Sequence, residues 1–97
     1  MEFLIASKSQ GKYSKAEPLF LRSLEIRKRQ LGADHPDVAS SLFNLAVLYH
    51  HMQRHSEAMT LIQRAIQIYQ QTLGSDHPNT QNAKNSLAYL RESQRKS

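Results

Sequence analysis

A six-residue segment occurs twice in this chain in nearly the same form, and its spacing restricts the fold more than any other feature. Leu31-Gly32-Ala33-Asp34-His35-Pro36 returns as Leu73-Gly74-Ser75-Asp76-His77-Pro78, 42 positions later. Self-similarity at a fixed period of this length is typical of repeat architectures. Other identities in the same register, with no gap, are Ser14 with Ser56, Ala16 with Ala58, Leu19 with Leu61, Arg22 with Arg64, Ile26 with Ile68, and Leu45-Ala46 with Leu87-Ala88.

Each repeat contains two segments with helical periodicity. Leu42, Leu45, Ala46 and Tyr49 recur at spacings of three and four residues, which places them on one face of a helix. The segments between such patterns are too short for parallel neighbours, so consecutive helices are expected to run antiparallel. The patterns together predict helices at about 2–9, 14–31, 37–52, 56–73 and 79–94.

The duplicated segment contains residues suited to ending one helix and beginning the next. Gly32 and Gly74 suit the left-handed position just after a helix end, which costs glycine nothing sterically. Pro36 and Pro78 suit the first turn of the following helix, where no amide hydrogen is needed. These residues therefore predict the boundaries between repeats.

Inside each repeat a polar stretch predicts the turn between the two helices. These stretches are 10–14 in the first repeat and 51–56 in the second. Ser14 and Ser56 are the expected N-caps of the helices that follow, because a serine hydroxyl accepts a hydrogen bond from a free amide of the first turn.

These motifs resemble the tetratricopeptide repeat. The resemblance rests on Asn44-Leu45-Ala46-Val47-Leu48-Tyr49, Ser56-Glu57-Ala58 and Ala65-Ile66. The 42-residue period with its Leu-Gly-x-Asp-His-Pro linker is similar to the longer variant of kinesin light chains and nephrocystin-like proteins. The resemblance to this family implies an all-α fold in which antiparallel helix hairpins stack as a short right-handed solenoid of about five helices. Residues 1–97 would form one array, with a partial repeat at 1–36, a full repeat at 37–78 and a final helix at 79–97.

Small residues mark the places where helices are expected to approach closely. Ala46, Ala58 and Ala65 leave room for a neighbouring helix, while larger side chains fill the surrounding space. The positions assigned to the fold rather than to binding are Ala16, Gly32, Pro36, Leu45, Ala46, Tyr49, Ala58, Ala65, Gly74 and Pro78.

The last helix departs from the repeat pattern and is more polar. Lys84 stands where Leu42 stood one repeat earlier, and Arg91 where Tyr49 stood. This composition is typical of a capping helix. Because each repeat buries its apolar face only against neighbours, an array this short predicts either self-association through an uncovered end or a place within a longer array.

The resemblance implies a function in protein–protein interaction, with a partner peptide held in a concave groove lined by the first helix of each repeat. Asn44 matches the groove asparagine that precedes Leu-Ala in the family, and its amide offers donors and an acceptor to a peptide backbone. The last helix has Ser86 at that position and Asn85 one residue earlier. The groove residues predicted are Ser40, Phe43, Asn44, Val47, His50, His51, Asn82, Asn85, Ser86 and Tyr89, with Arg91 at their edge.

Two alternatives stay open beside groove binding. In the first, Asn44 simply faces solvent or bonds within the fold; in the second, the chain is a structural unit that oligomerises through its terminal helices. The helix that would carry a clamp for a terminal carboxylate has His50 and His51 instead of lysine and arginine, so no such clamp is predicted. Basic residues 27–29 give only a slight preference for an acidic peptide.

The basic composition raises the question of nucleic acid. The formal net charge is +5 and the pI about 9.8, but the basic residues concentrate at 27–29 and in the tail 91–96 without interleaved aromatic residues. Such clusters are typical of solvated helix faces, so nucleic-acid binding ranks third.

Other classes of function have little support in the sequence. His51 and His55 are four apart but fall at a predicted turn with no carboxylate beside them, and Asp34-His35 recurs as linker structure. No phosphate loop or nucleophile motif is present; we therefore expect no enzymatic activity, no cofactor and no metal site. Cysteine is absent, which fits a reducing compartment and is compatible with any other. No apolar run reaches the roughly 20 residues of a membrane span, and a cytoplasmic location is expected.

Overall fold

Four α-helices make up the chain in a computed structural model, which describes the backbone of residues 2–96 and the side chains of residues 12–94. They are α1 (Glu2–Leu31), α2 (Pro36–His51), α3 (His55–Thr72) and α4 (Pro78–Lys96). Each helix packs mainly against the next helix in the chain, and the interface between α2 and α3 is the most extensive of these. The prediction of an all-helical chain is confirmed for the described residues.

The two copies of the duplicated segment form the same structure. Gly32 follows α1 with a φ of 96° and Gly74 lies after α3 with a φ of 91°, both in the region that glycine adopts without strain. Pro36 and Pro78 are the first residues of α2 and α4. The glycine ends one helix and the proline begins the next in each copy.

The linker histidines cap the helices that follow them. The Nδ1 atom of His35 accepts a hydrogen bond from the amide of Asp37 at 3.0 Å. His77 repeats the contact with the amide of Asn79 at 3.1 Å. A capping side chain satisfies an amide that has no partner within the helix, which explains why histidine recurs before each proline.

The core lies between α2 and α3 and continues onto α4. Ala46, Ala58 and Ala65 have no exposed surface, so the helix backbones approach each other closely at these positions. Leu45 and Tyr49 are buried beside them. The remaining buried apolar residues are Leu24, Val38, Ala39, Leu42, Leu48, Ile62, Ile68, Tyr69, Ala83, Leu87 and Leu90.

The expected five helices were wrong, because the first two form one. α1 continues without a break through 10–14, and Ser14 lies inside it rather than at an N-cap. In the second repeat Arg54 forms a bidentate ion pair with Glu57, at 2.6 and 2.7 Å, immediately after the turn. The first repeat has Lys12 and Lys15 at the positions of Arg54 and Glu57. Two like charges repel each other, so they cannot form the ion pair that stabilises the turn in the second repeat.

The N-cap assigned to Ser56 was also wrong. α3 begins at His55, so that Ser56 is its second residue, and Arg54 precedes the helix without a side-chain capping bond. The turn is held instead by backbone bonds, including those from the amides of Gln53 to His50 and of Arg54 to Tyr49, at 3.0 and 2.8 Å.

None of the helices within residues 2–96 combines the length and the apolar character that crossing a lipid bilayer requires.

Candidate functional site

A cleft of about 270 Å³ lies between α2 and α4, above α3. We call it the α2–α4 cleft. Its lining consists of Val47 and His50 from α2, Ile62 from α3, and Asn85, Ser86, Tyr89 and Leu90 from α4. All three helices are fixed by the core, so the lining side chains stand on a rigid support.

The α2–α4 cleft has an apolar floor and a mixed rim. Ile62 and Leu90 are almost fully buried and form the floor. On the rim Tyr89 is 63% exposed and Val47 40% exposed. Polar groups beside exposed apolar surface are the usual composition of a site that binds another molecule.

A second cleft of the same volume, about 270 Å³, lies between α1 and α2. This α1–α2 cleft is lined by Phe20, Asn44, Val47, Leu48 and His51. It repeats the α2–α4 cleft at the 42-residue offset. The first four of its lining residues correspond, in order, to Ile62, Ser86, Tyr89 and Leu90 of that cleft. The α2–α4 cleft has a further wall, formed by Val47 and His50, whose counterparts one repeat earlier are Ile5 and Lys8.

Seven of the ten predicted groove residues line one of the two clefts. Val47, His50, Asn85, Ser86 and Tyr89 meet in the α2–α4 cleft, while Asn44 and His51 line the α1–α2 cleft with Val47.

The other predicted groove residues lie elsewhere. Phe43 and Asn82 line a smaller depression of about 110 Å³ with Tyr69 and Asn79. The hydroxyl of Ser40 is 2.7 Å from that of Tyr69, so Ser40 connects α2 to α3 and does not face either cleft. Arg91 is exposed on α4 outside both clefts.

Three histidines form a cluster at the end of α2 beside the α2–α4 cleft. The rings of His50 and His55 lie 5.2 Å apart, with their Nδ1 atoms at 3.4 Å, and the rings of His50 and His51 lie 5.8 Å apart. Burial lowers the pKa of His50 below its usual value, and the neighbouring charges of His55 and His51 lower it further. His50 therefore favours its neutral form.

Two tyrosines flank this histidine cluster. The ring of Tyr13 stacks on that of His51 at 5.4 Å, nearly parallel, and Tyr89 meets His50 edge-on at 6.1 Å. Sequence reasoning missed Tyr13 and His55 as neighbours of the site. Their match at the 42-residue offset was the available signal, since it places an aromatic ring at the same point of successive repeats.

A partly buried network joins α1 to the turn between α2 and α3. The hydroxyl of Tyr49 donates to a carboxylate oxygen of Glu17 at 2.7 Å, and Arg54 donates to the same oxygen at 3.0 Å. The Arg54 guanidinium also lies 4.1 Å from the centre of the Tyr49 ring. Burial and the Glu17 carboxylate together raise the pKa of Tyr49 to about 12. This network fixes the position of α1 beside α2, and with it the α1–α2 cleft.

The basic segment at the end of α1 is partly engaged by α2. Arg27 donates to the hydroxyl of Ser41 at 2.7 Å and to the carbonyl of Asp37 at 3.3 Å. Lys28 and Arg29 are exposed. Arg27 also lines a shallow depression of about 80 Å³ with Phe20 and Asn44, adjoining the α1–α2 cleft.

The histidine cluster does not have the composition of a metal site. Among the side chains of residues 12–94, no three or more histidines, aspartates or glutamates are arranged to hold a metal ion.

Short turns between helices, a fixed sequence period and equivalent clefts in successive repeats define a helical repeat protein. The sequence matches the tetratricopeptide repeat family over residues 6–71 and again over residues 45–97. The chain therefore belongs to this family, whose repeats generally mediate protein–protein interactions and typically form non-enzymatic modules. No curated protein sequence matches the chain.

Proposed function

We propose that the chain is a protein–protein interaction module that binds a peptide segment of a partner along the α2–α4 and α1–α2 clefts. The observation that carries the proposal is the α2–α4 cleft, in which exposed Tyr89 and Val47 stand over a buried apolar floor beside Asn85 and Ser86. Recurrence of this cleft one repeat earlier supports a groove long enough for several residues of a peptide.

Each part of the groove suits a different part of a peptide. Tyr89 and Val47 offer apolar contact for one side chain, and an aromatic anchor of this kind contributes strongly to binding at interfaces. Asn85 and Asn44 present amide donors and acceptors, which can pair with the peptide backbone whatever its sequence. Ser86 adds a hydroxyl between them.

The proposal is tested with peptides selected for binding from a random displayed library. Tyr89→Ala and Asn85→Ala should each weaken the selected peptides at least about tenfold, the range expected for a residue central to an interface. Gln71→Ala is the matched control because Gln71 is exposed on α3 away from both clefts. Selected peptides that bind all three variants as tightly as the original chain would place the binding site elsewhere.

Self-association is a second candidate function, favoured by apolar side chains on α1 that no other part of the described chain covers. Leu19 is 68% exposed and Ile26 44% exposed. A face of this kind on a repeat helix is normally covered by the neighbouring helix. The measurement is solution mass as a function of concentration; a constant monomer mass would remove this candidate.

Nucleic-acid binding, the third possibility, is separated by its salt dependence. A complex held by phosphate contacts loses about 10³–10⁵ in affinity between about 50 and 200 mM salt when six to ten contacts form. An apolar peptide complex in the α2–α4 cleft should change little over the same range.

We further infer that the repeats stack as a right-handed solenoid and belong to the kinesin light chain or nephrocystin-like variant. We also propose that the protein acts in the cytoplasm. The 42-residue period and the two histidine-capped linkers support the variant. A crystal structure of the chain, in which the handedness of successive hairpins is seen directly, tests the solenoid.

A further inference from the structure

His50 joins the α2–α4 cleft to the histidine cluster, and its two ring nitrogens have different surroundings. Its Nδ1 lies 3.4 Å from Nδ1 of His55, whereas its Nε2 has no hydrogen bond within the described residues. His50 is half-buried, and no fully covered side-chain nitrogen or oxygen of such a described residue lacks a partner. Nε2 is therefore open to solvent. Since the ring lines the cleft, this is the nitrogen of His50 that a bound peptide can reach.

Two consecutive hydrogen bonds determine which nitrogen of His50 carries the hydrogen. Nε2 of His55 lies 3.4 Å from Oε1 of Gln53. An amide oxygen only accepts, so Nε2 of His55 is the donor in this bond. A neutral imidazole carries one hydrogen, which leaves Nδ1 of His55 as an acceptor. Nδ1 of His50 is then the donor in the bond between the two rings.

The other nitrogen of His50 is thereby an acceptor. Burial lowers the pKa of His50, and the neighbouring charges of His55 and His51 lower it further, so the ring is neutral at neutral pH and has a single hydrogen. With that hydrogen on Nδ1, Nε2 keeps an unshared electron pair. The rings that face His50 are those of His51 on its own helix, His55 on α3 and Tyr89 on α4.

The cleft around this acceptor carries no formal charge. The polar groups of its lining are His50, Asn85, Ser86 and the hydroxyl of Tyr89, and the remaining lining residues are apolar. A cation buried here would have no counter-ion, and the net charge of +5 on the chain also opposes a cationic peptide. A neutral hydrogen-bond donor beside an apolar side chain suits both the acceptor and the apolar floor.

We propose that His50 determines specificity in the α2–α4 cleft: its Nε2 accepts a hydrogen bond from a neutral donor of the bound peptide, the hydroxyl of a serine or threonine or the side-chain amide of an asparagine or glutamine. A neighbouring apolar residue of the peptide packs over Ile62 and Leu90. The inference rests on the proposed function, because it names the kind of peptide that the same cleft accepts. A peptide without a donor would displace water from Nε2 and leave the acceptor unpaired, which costs affinity.

Nitrogen NMR on the original chain tests the position of the hydrogen without any ligand. Long-range proton–nitrogen spectra of the isotope-labelled chain at neutral pH distinguish a ring nitrogen that carries a hydrogen from one that does not. The signals of His50 are identified by their loss in His50→Gln. We expect the hydrogen on Nδ1 of His50 and none on Nε2. The reverse assignment overturns the inference and leaves peptide binding in the clefts intact.

Selection from a random displayed peptide library on two forms of the protein tests the preference for a donor. Peptides selected on the original chain should carry a serine, threonine, asparagine or glutamine at a fixed distance from an apolar residue. His50→Leu removes the acceptor and keeps a good helix former at this position, so the same library should yield peptides without that preference. Circular dichroism checks that the variant keeps its helical content.

The affinities of single selected peptides make the test quantitative. Replacing the donor residue of a peptide, threonine by valine or asparagine by leucine, should weaken binding to the original chain at least about fivefold, because an acceptor is left unpaired. The same replacement should change binding to His50→Leu less than about twofold, since that variant has no acceptor to satisfy. His50→Gln, whose side-chain oxygen can accept, should keep most of the preference. Gln71→Ala, away from both clefts, should keep all of it.

The possible results separate this inference from the proposed function. Peptides that need Tyr89 and Val47 for binding, but whose preference for a donor is absent or survives His50→Leu, overturn the inference and keep the function of the cleft. A library that yields no peptide for the original chain overturns the proposed function and the inference with it.

Discussion

At the scale of single residues, the linker histidines have the clearest structural role. The Nδ1 atoms of His35 and His77 accept hydrogen bonds from the amides of Asp37 and Asn79 in equivalent geometry. Each precedes the proline that begins the next helix, and the imidazole supplies an acceptor to an amide of the first turn, which has no intrahelical partner. A catalytic interpretation of Asp34-His35 is unnecessary, since this nitrogen is engaged in capping.

Replacing His35 should therefore reduce stability without affecting the clefts. We expect His35→Ala to lower the free energy of unfolding by about 1 kcal/mol, the usual loss for a helix cap. His35→Asn should restore most of it, because an asparagine side chain can accept the same amide. Urea denaturation followed by circular dichroism measures both variants; an alanine variant as stable as the original chain would contradict the capping role.

The lowered pKa of His50 makes stability depend on pH. The group takes up a proton at lower pH in the folded chain than in the unfolded chain. Between its ordinary pKa of about 6.5 and the lower folded value, the unfolded state therefore binds more protons, and stability falls as the pH falls. Urea midpoints measured from pH 7.5 down to 5 should show this loss.

His50→Gln isolates the contribution of His50 from those of the other two histidines. Because His51 and His55 are the groups that face it in the histidine cluster, removing His50 should flatten the pH dependence while leaving stability at pH 7.5 nearly unchanged. Gln71→Ala is the control, since Gln71 is exposed on α3 away from both clefts and carries no titratable group. An equally steep pH profile in the His50 variant would exclude this origin.

At the scale of elements, the turn between α2 and α3 forms at a residue poorly suited to it. Gln53 has a φ of 67°, a conformation that costs a residue with a side chain about 1 kcal/mol or more. The turn persists because the bidentate Arg54–Glu57 pair and the bonds to Glu17 over-determine it. The same register in the first repeat has the better-suited Gly11 but lacks those partners.

Gln53→Gly should consequently stabilise the chain by about 1 kcal/mol. The matched control is Gln63→Gly, an exposed position inside α3, where glycine should destabilise by about 1 kcal/mol. Thermal and urea denaturation give both values. Equal destabilisation by the two changes would mean that the strain at residue 53 is not significant.

These turns show which parts of the fold could be predicted from the sequence. The 42-residue period predicted three of the four helices within one or two residues, because Gly32, Gly74, Pro36 and Pro78 determine backbone conformation locally. It did not predict that α1 continues through residues 10–14. That segment and the turn after α2 occupy the same register; they differ in the local Arg54–Glu57 pair and in a contact distant in sequence, that of Arg54 with Glu17.

The candidate site was predicted in part for a related reason. Helical periodicity indicates which residues of one helix share a face, so Val47, His50 and Tyr89 were assigned to one groove, and the structure places them around one cleft. Ile62 and Phe20 line the two clefts from neighbouring helices, and periodicity within a single helix carries no information about them. That the groove binds a peptide stays a prediction.

At the scale of the whole molecule, charge opposes association of two copies. Each chain has a formal net charge of +5, so two copies repel each other at low ionic strength. Salt screens this repulsion, with a Debye length that falls from about 30 Å at 0.01 M to about 10 Å at 0.1 M. A dimer held by the exposed apolar side chains of α1, the second candidate function, should therefore become tighter as salt is added.

This dependence has the opposite sign from that of a nucleic-acid complex, in which added salt competes with the protein for phosphates. We expect the dimer dissociation constant to fall severalfold between about 10 and 200 mM sodium chloride, measured by sedimentation equilibrium on the original chain. Gln71→Ala should follow the same trend, since it leaves every charge and the apolar side chains of α1 in place. A dimer that dissociates as salt rises would show that ion pairs, rather than the exposed apolar side chains of α1, hold the two copies together.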